Sequence, residues 1–544
     1  MRRTFLLASA ALAAGALASP ALAQWTSDST TNTVVADGAG EQSVPIIRPA
    51  ADGGVWVYFY DSGAGSGYKP RIQRLAPDGT RIFAGNGVIL ADRTNTATFT
   101  SDMKVGGDGA AYAAFDDNGG QVTVQKVLPD GSLPWGPTGV RLPTLAGSFG
   151  NRVAICADGT IVVAGTVSNV LQLQRLNPDG TFVPGEAWSL AEATRGQAAA
   201  DLISGGSGGD VILLWVRSET TNMVLSRKGL KIQKWDATHA PQWSGSGGAG
   251  SPIDIYTSNA TPSRGIQNGY FPPLIPDGAG GAVVAWYDNA ADRNAWLQHV
   301  DSAGVQRFPQ NGLAASTTPS TTEYRLSASV AYLPAVDEYV VAYERSNTTQ
   351  SLYGLGAQRI TAAGARLWGG GAGLDLIPLN SGNHKSFINT QPAPTDDAVI
   401  AWLEYTGASG PMLVNATRLD DAGAAVWSPG TLGVATNPSD KGRLAMTHVT
   451  GSDMLVAAWH DNAAGTVDVK AQNINMDGTL GQSTPPCPAD LDGSGAVDLA
   501  DLAILLSHFG SSGASAADGD LDGDTQVTLT DLAMLLSAYG TECP

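Results

Sequence analysis

Three cysteines in 544 residues are too few for a disulfide scaffold. Six histidines are scattered, with no His-Glu-x-x-His or paired-cysteine spacing, so the familiar zinc sites are excluded. Positive charge is scarce: 31 Lys and Arg stand against 50 Asp and Glu, the formal charge is −19, and no Lys or Arg follows Lys470. A chain without a cationic footprint is not built to bind nucleic acid. Beyond the N-terminus no apolar run approaches the ~20 residues that span a bilayer, so no membrane span is expected. No Gly-x-Ser-x-Gly elbow or phosphate-cradling loop occurs in a suitable context.

What is present begins with Arg2-Arg3-Thr-Phe5-Leu6-Leu7, an Ala/Leu run, and Ala21-Leu22-Ala23 before Gln24. This is the pattern of a cleavable export signal over residues 1–23, and Arg2-Arg3-x-Phe5-Leu6 also suits a twin-arginine signal, so both export routes stay open. The mature protein is expected to be secreted or held at the cell surface. Cys156, inside Val153-Ala-Ile-Cys156, reads as a buried strand residue without a partner.

Residues 24–481 are rich in glycine and internally repetitive. A segment Gln-x-apolar-x-x-x-Gly starts at Gln73, Gln125, Gln174, Gln298, Gln358 and Gln472. Thr417 heads a copy without the glutamine, and Gln233 heads one without the glycine. Upstream of each lies a β-rich run, from Val55-Trp-Val-Tyr-Phe59 to Leu455-Val-Ala-Ala-Trp459. Turn signals around these runs allow about four short strands per unit, which reads as propeller blades. The last unit lacks an outer strand, whereas Thr31-Asn-Thr-Val-Val-Ala36 has no unit of its own, so the N-terminal segment is expected to complete the last blade and remove a free edge. The expectation is a mainly β protein with an eight-bladed propeller, with seven blades or two smaller rings as alternatives. The repeats look like the Gly/Trp-rich propeller-like repeats of large secreted bacterial proteins.

A Pro-rich linker, 482–486, leads to a tandem duplication at 487–544. Asp490-Leu-Asp492-Gly-Ser494-Gly-Ala496-Val-Asp498-Leu-Ala-Asp501 returns as Asp520-Leu-Asp522-Gly-Asp524-Thr-Gln526-Val-Thr528-Leu-Thr-Asp531. Calcium takes six to eight oxygens, and a twelve-residue loop supplies them from positions 1, 3, 5, 7, 9 and 12. Those positions are Asp490, Asp492, Ser494, the Ala496 carbonyl, Asp498 and Asp501 in loop one. In loop two they are Asp520, Asp522, Asp524, the Gln526 carbonyl, Thr528 and Asp531, so two calcium ions are expected. Gly495 fills the sharp-turn position of loop one; Thr525 stands there in loop two and must accept a conformation unfavourable to a β-branched residue. Each loop runs into an apolar helix stopped by Gly510 or Gly540.

Prolines 485, 486 and 488 forbid an entering helix before loop one, and position 12 is aspartate rather than glutamate. With the tandem copies, these departures from an ordinary EF-hand make residues 487–544 resemble a type I dockerin. The resemblance implies two antiparallel loop–helix units folded by calcium, docking on a cohesin-like protein domain. Cys487 and Cys543 bracket the module, and a disulfide tying its ends together is expected in an oxidising compartment. Leu499-Ala500 and Leu529-Thr530 stand at loop positions 10 and 11, where cellulosomal members carry small hydroxyl residues.

Two functional readings follow. The first is a secreted, calcium-binding modular protein whose propeller binds a glycan or a protein and whose tail docks it to a surface assembly. The alternative is a dockerin-bearing hydrolase or lyase of polysaccharide catabolism. Asp61, Asp117, Asp288, Glu404 and Asp461, just beyond the β-rich runs, are the carboxylates such chemistry would draw on; turn formation accounts for their recurrence equally well. The aromatics ending those runs, Phe59 to Trp459, read as core packing or as a sugar-stacking platform. His460 beside Asp461 reads as a surface pair. No catalytic residue is assigned.

Overall fold

The computed structural model describes residues 25–541 except 64–66, 94–99, 118–119, 261–262, 290–292, 320, 408–409, 450, 482–488, 493, 495, 516–517 and 523. The export segment, the linker 482–486, Gly495 and both Cys487 and Cys543 lie outside the described residues. The chain separates into two compact units, 1–481 and 482–544. Among the described residues no helix is long and apolar enough to cross a membrane.

The first unit is an eight-bladed β-propeller built from eight four-stranded antiparallel sheets. The blades span 42–89, 101–142, 149–190, 197–256, 274–314, 323–381, 385–439 and 441–475, the last with an added strand. Each expected β-rich run is the second strand of its blade. The central runs of these strands are apolar on both faces because neighbouring blades cover both; Val55–Asp61 is buried along its whole length. The repeated glutamine lies on the third strand at a constant register, from Val57 opposite Gln73 to Ala457 opposite Gln472.

The innermost strands of successive blades pack side by side around the ring, including Gln42–Pro49 of blade one against Lys441–His448 of blade eight. Thr33–Ala36 supplies the outer strand of blade eight, pairing Thr33 with Ala471 and Ala36 with Val469. The eight-bladed expectation and the N-terminal closure both hold.

The structure also explains the repeated Gln and Gly. In four blades the glutamine amide clamps the backbone of an aromatic residue ten positions on. Gln358 Nε2 donates to the Trp368 carbonyl at 3.2 Å, and its Oε1 accepts from the Trp368 N–H at 2.8 Å; Gln73 holds Phe83, Gln233 holds Trp243 and Gln298 holds Phe308 in the same way. The aromatic then reaches the next blade. The Trp368 indole donates to the Asp421 carbonyl at 2.9 Å, and Trp243 and Trp427 do likewise to Ser302 and Met476. Gly423, at φ 83°, lies under the Trp368 ring, and a Cβ there would come within 3.0 Å of the indole and 2.6 Å of Leu374. Trp25 on Gly79 closes the series from blade eight to blade one. Where the glycine is missing, His239 occupies its turn position at φ 51° and stacks on Trp188 with ring centroids 5.4 Å apart.

The second unit contains two helices, α1 (Leu499–Ser507) and α2 (Leu529–Ala538). Both start with a capping box, Asp498 with Asp501 and Thr528 with Asp531. Its two loop–helix halves exchange backbone bonds reciprocally: Gly510 N–H donates to the Val527 carbonyl and Gly540 N–H to the Val497 carbonyl, each at 2.8 Å. Its fully buried apolar centre is small, consisting of Ala489, Val497, Leu505, Val527 and Leu535.

Candidate functional sites

The duplicated loops bring carboxylates together. Oxygens of Asp490, Asp492 and Asp501 lie within 4.8 Å of one another, as do those of Asp520, Asp522 and Asp524. Thus loop one gathers positions 1, 3 and 12, and loop two positions 1, 3 and 5. Asp501 is buried and accepts from the N–H groups of Leu491 at 2.6 Å and Asp492 at 3.1 Å through one oxygen, and from Asp498 at 2.8 Å through the other. Asp531 is held by Leu521, Asp522 and Thr528 in the same pattern. Burial works against ionisation of both groups, but these donors hold each carboxyl below the usual carboxylate range.

The remaining expected positions are less gathered. Ser494 Oγ donates to the Ala496 carbonyl at 3.3 Å. Asp498 and Thr528 accept from Ala500 and Thr530 as helix N-caps, at 2.7 and 3.1 Å. Gln526 N–H donates to Asp524 Oδ1 at 2.7 Å. Thr525 takes the left-handed conformation its place in the loop demands, with φ 70°. An oxygen-only set with several carboxylates suits a hard divalent cation.

The recurring carboxylates of the propeller are engaged in local structure. Asp61 accepts from Gln42 Nε2 and pairs with Arg71 at 2.6 Å; Asp117 pairs with Arg93 at 2.5 Å; Glu404 pairs with Lys385 at 3.1 Å. Asp461 accepts from Ser439 Oγ, the Trp459 indole and the Ala463 N–H, and Asp288 accepts from the Tyr256 hydroxyl and the Gly265 N–H. The aromatics ending the second strands, Phe59, Phe115, Trp215, Trp286, Tyr343, Trp402 and Trp459, are buried in the blade cores, which is packing rather than a stacking platform. His460 is half-buried, and its Nδ1 has no hydrogen-bond partner, so it is not the surface pair expected with Asp461. Cys156 is free and buried, and burial pushes its thiol pKa up.

A feature not legible in the repeats is the channel at the centre of the ring. It encloses about 830 Å³ and is lined by the innermost strands of all eight blades. Blades one to four contribute Arg48, Lys104 and Asp201; blades five to seven and the segment leading into blade five contribute Tyr270, Tyr287, Phe387, Asn389 and Gln391. Four innermost strands put a non-glycine residue in the left-handed region at the same kind of bulge: Val44 (φ 57°), Ser327 (φ 53°), Phe387 (φ 48°) and Arg443 (φ 57°). The Arg443 guanidinium lies 5.9 Å from the centroid of the partly exposed Phe387 ring.

Residues 156–182 match the model of a β-propeller domain family of unknown function, DUF5122. No curated protein matches the chain. Among solved structures, a protein of unknown function from Dyadobacter fermentans is 12% identical with a TM-score of 0.35, over 82% of this chain and 96% of the other. A puromycin hydrolase is 13% identical with a TM-score of 0.41; 81% of this chain is covered, but only 61% of the hydrolase, less than two thirds of its length. The BP39L lectin from Burkholderia pseudomallei is 14% identical with a TM-score of 0.40, over 71% of this chain and 97% of the lectin.

Proposed function

We propose that the C-terminal unit is a calcium-folded, dockerin-like docking module and that the propeller is the ligand-binding half of an exported, noncatalytic protein. The observation that carries this reading is the pair of carboxylate clusters, Asp490/Asp492/Asp501 and Asp520/Asp522/Asp524, at the start of matching loop–helix units. The module contains no Lys or Arg to neutralise them. Three carboxylates crowded this closely repel one another unless a cation is supplied from outside. A centre of five buried apolar residues, with six partly buried ones packed against it, is also small for some sixty residues, which is the usual circumstance of metal-dependent small domains. Asp490, Asp492, Ser494, Ala496, Asp498 and Asp501 would hold one ion and Asp520, Asp522, Asp524, Gln526, Thr528 and Asp531 the other. The bound charge would cancel the repulsion and fix both loops. Export, expected from the N-terminal segment, would put the loops where calcium is abundant.

A protein partner for the module is supported by apolar side chains left on its surface in matching pairs. Leu499 and Leu529 are 70% and 72% exposed, and Leu506 with Leu536 and Phe509 with Tyr539 repeat the pattern. A cohesin-like domain with an apolar face is the partner this arrangement suits. For the propeller, the reading is a glycan ligand, supported by the channel's mixture of aromatic rings, amides and charges.

The test is calorimetric titration of the full chain with calcium, alongside protease mapping in calcium and in EDTA. About two ions per chain and calcium-dependent protection of residues 482–544 are expected. Equal cleavage of that segment under both conditions would rule the reading out.

A further inference from the structure

The two halves of the ring present different chemistry to the channel, and the difference specifies the ligand's charge. Arg48, Lys104 and Arg152 stand on the innermost strands of blades one, two and three, with Asp102 and Asp201 among them on blades two and four. Lys104 Nζ lies 3.3 Å from both Asp102 and Asp201, and Arg48 lies 3.5 Å from Asp102. Of the charged side chains that line the channel, Arg48 and Lys104 outnumber Asp201 by one.

The carboxylates are also spent on the fold. Asp102 accepts from the Met103 N–H at 2.8 Å and from the Val153 N–H of blade three at 3.1 Å. Asp201 accepts from the Leu202 N–H at 2.8 Å and from the Leu274 N–H of blade five at 2.8 Å. They join neighbouring blades through backbone donors, so part of their acceptor capacity is committed to the fold and is shared with the cations. Burial works against ionisation of Asp102, yet Lys104, Arg48 and Arg152 together hold its carboxyl below the usual range.

Arg48 is the group left with donors to offer. A guanidinium has five N–H donors. Here one donates to the Ile47 carbonyl at 2.8 Å and another faces Asp102 at the long distance of 3.5 Å, while a third of the side chain stays exposed. Arg152, by contrast, is tied to the Ala200 carbonyl at 2.6 Å and the Asn151 carbonyl at 2.9 Å. Across the channel are Tyr270 and Tyr287, with ring centroids 4.4 Å apart, the partly exposed Phe387, and the amides of Asn389 and Gln391. Each amide donates to a blade-eight carbonyl, Leu444 and Met446 respectively, at 3.1 Å, which fixes its orientation. Flat aromatic faces and oriented amides suit a ring carrying hydroxyl groups. A guanidinium with spare donors suits a carboxylate, which it can grip with two parallel bonds. The channel's volume falls within the roughly 300–1,000 Å³ typical of small-ligand sites, enough for a short saccharide rather than a folded domain.

We propose that the central channel binds a short acidic saccharide, with the carboxylate of a uronic acid on Arg48 and a sugar face against Tyr287 or Phe387. This rests on the reading of the propeller as a glycan-binding unit and adds the ligand's charge class and the residue that selects it.

The test uses the full chain in calcium. Trigalacturonate, a neutral trisaccharide of the same length and hexaglutamate are titrated calorimetrically into the wild type and into Arg48→Gln and Tyr287→Ala. Saturable binding of trigalacturonate is expected, with the neutral sugar at least about tenfold weaker and Arg48→Gln losing about tenfold or more, the worth of a charge-assisted pair. Tyr287→Ala should weaken both sugars alike. Equal binding of charged and neutral sugars, or trigalacturonate binding unchanged by Arg48→Gln with the ring's melting transition intact, overturns the charge assignment while leaving the glycan reading standing. Preference for hexaglutamate overturns it in favour of an acidic peptide. Binding of no probe at all overturns both the inference and the glycan reading.

Discussion

In the ring, neighbouring units are held by large apolar side chains that reach from one blade to the next; in the C-terminal module, two units exchange a pair of backbone hydrogen bonds and enclose five small or medium apolar residues. The ring gains buried area with every blade, because each brings another aromatic and, in all but the blade that carries His239, a glycine to receive it. The module has no such reserve, and its most crowded groups are like charges. One repeat is therefore held by packing and the other, under the proposal above, by an ion. The comparison can be broken at either end.

The largest effect is expected from Asp490→Ala combined with Asp520→Ala. This variant should lose calcium binding and expose residues 482–544 to protease, while the ring's calorimetric transition stays where it was. A shift of the ring transition would show that the two regions are energetically joined.

Next comes the ring itself. Trp368→Ala removes an almost completely buried indole between blades six and seven, at a cost of about 3–5 kcal/mol, and should lower the ring transition without altering calcium binding. Gln358→Leu keeps the tryptophan but leaves its N–H and carbonyl without their partner, at about 1–3 kcal/mol by the same measurement.

Acid should separate the regions by pH. His299 is buried between Tyr339 and Asp277, at 2.6 and 3.1 Å. Burial lowers its pKa, despite Asp277, and also lowers those of His448 and His460. The unfolded chain then binds more protons than the ring at pH values below the ordinary histidine value of about 6.5, so the ring loses stability as pH falls from there toward the folded values. In the module the buried depressed groups are Asp501 and Asp531, while Asp518, lowered by hydrogen bonds from Ser515, is partly exposed. Their contribution is complete above the ordinary carboxylate value of about 3.9 and is lost as pH falls through the folded values. Thermal scans from pH 7 to pH 3 should show the ring softening first. The reverse order would remove the buried histidines as the cause.

The smallest effect sharpens the module alone. Thr525→Gly relieves a left-handed threonine and should stabilise the calcium-loaded module by about 1 kcal/mol, read as a later loss of protection when calcium is withdrawn in steps.

Much of the ring was legible because its units repeat. The second strands, the constant Gln register and the borrowed strand at Thr33–Ala36 follow from periodicity and from counting edges. The role of the aromatic ten residues after the glutamine was not legible, although Phe83, Trp243, Phe308 and Trp368 all keep that spacing from Gln73, Gln233, Gln298 and Gln358; it sits in an irregular stretch, and its meaning depends on a glycine in the next blade. The channel was not legible at all. Arg48, Lys104 and Asp201 belong to innermost strands that share little sequence, and only closure of the ring brings them together. In the loops, the ligand positions could be listed from spacing, but the backbone ties of Asp501 and Asp531 could not, because they depend on how each helix meets its own loop.

The strand Thr33–Ala36 makes the ring a hoop with a clasp. Asn32 and Gln472, 440 residues apart, share a hydrogen bond at that seam. The entropy of closing so long a loop grows only with the logarithm of its length, so the clasp costs little more at equilibrium than a short one. Its cost is paid in time, since contacts of such high sequence separation form slowly. Until the seam fastens, the last blade carries an open edge, and that interval is when a newly made chain is most exposed to pairing with a neighbour.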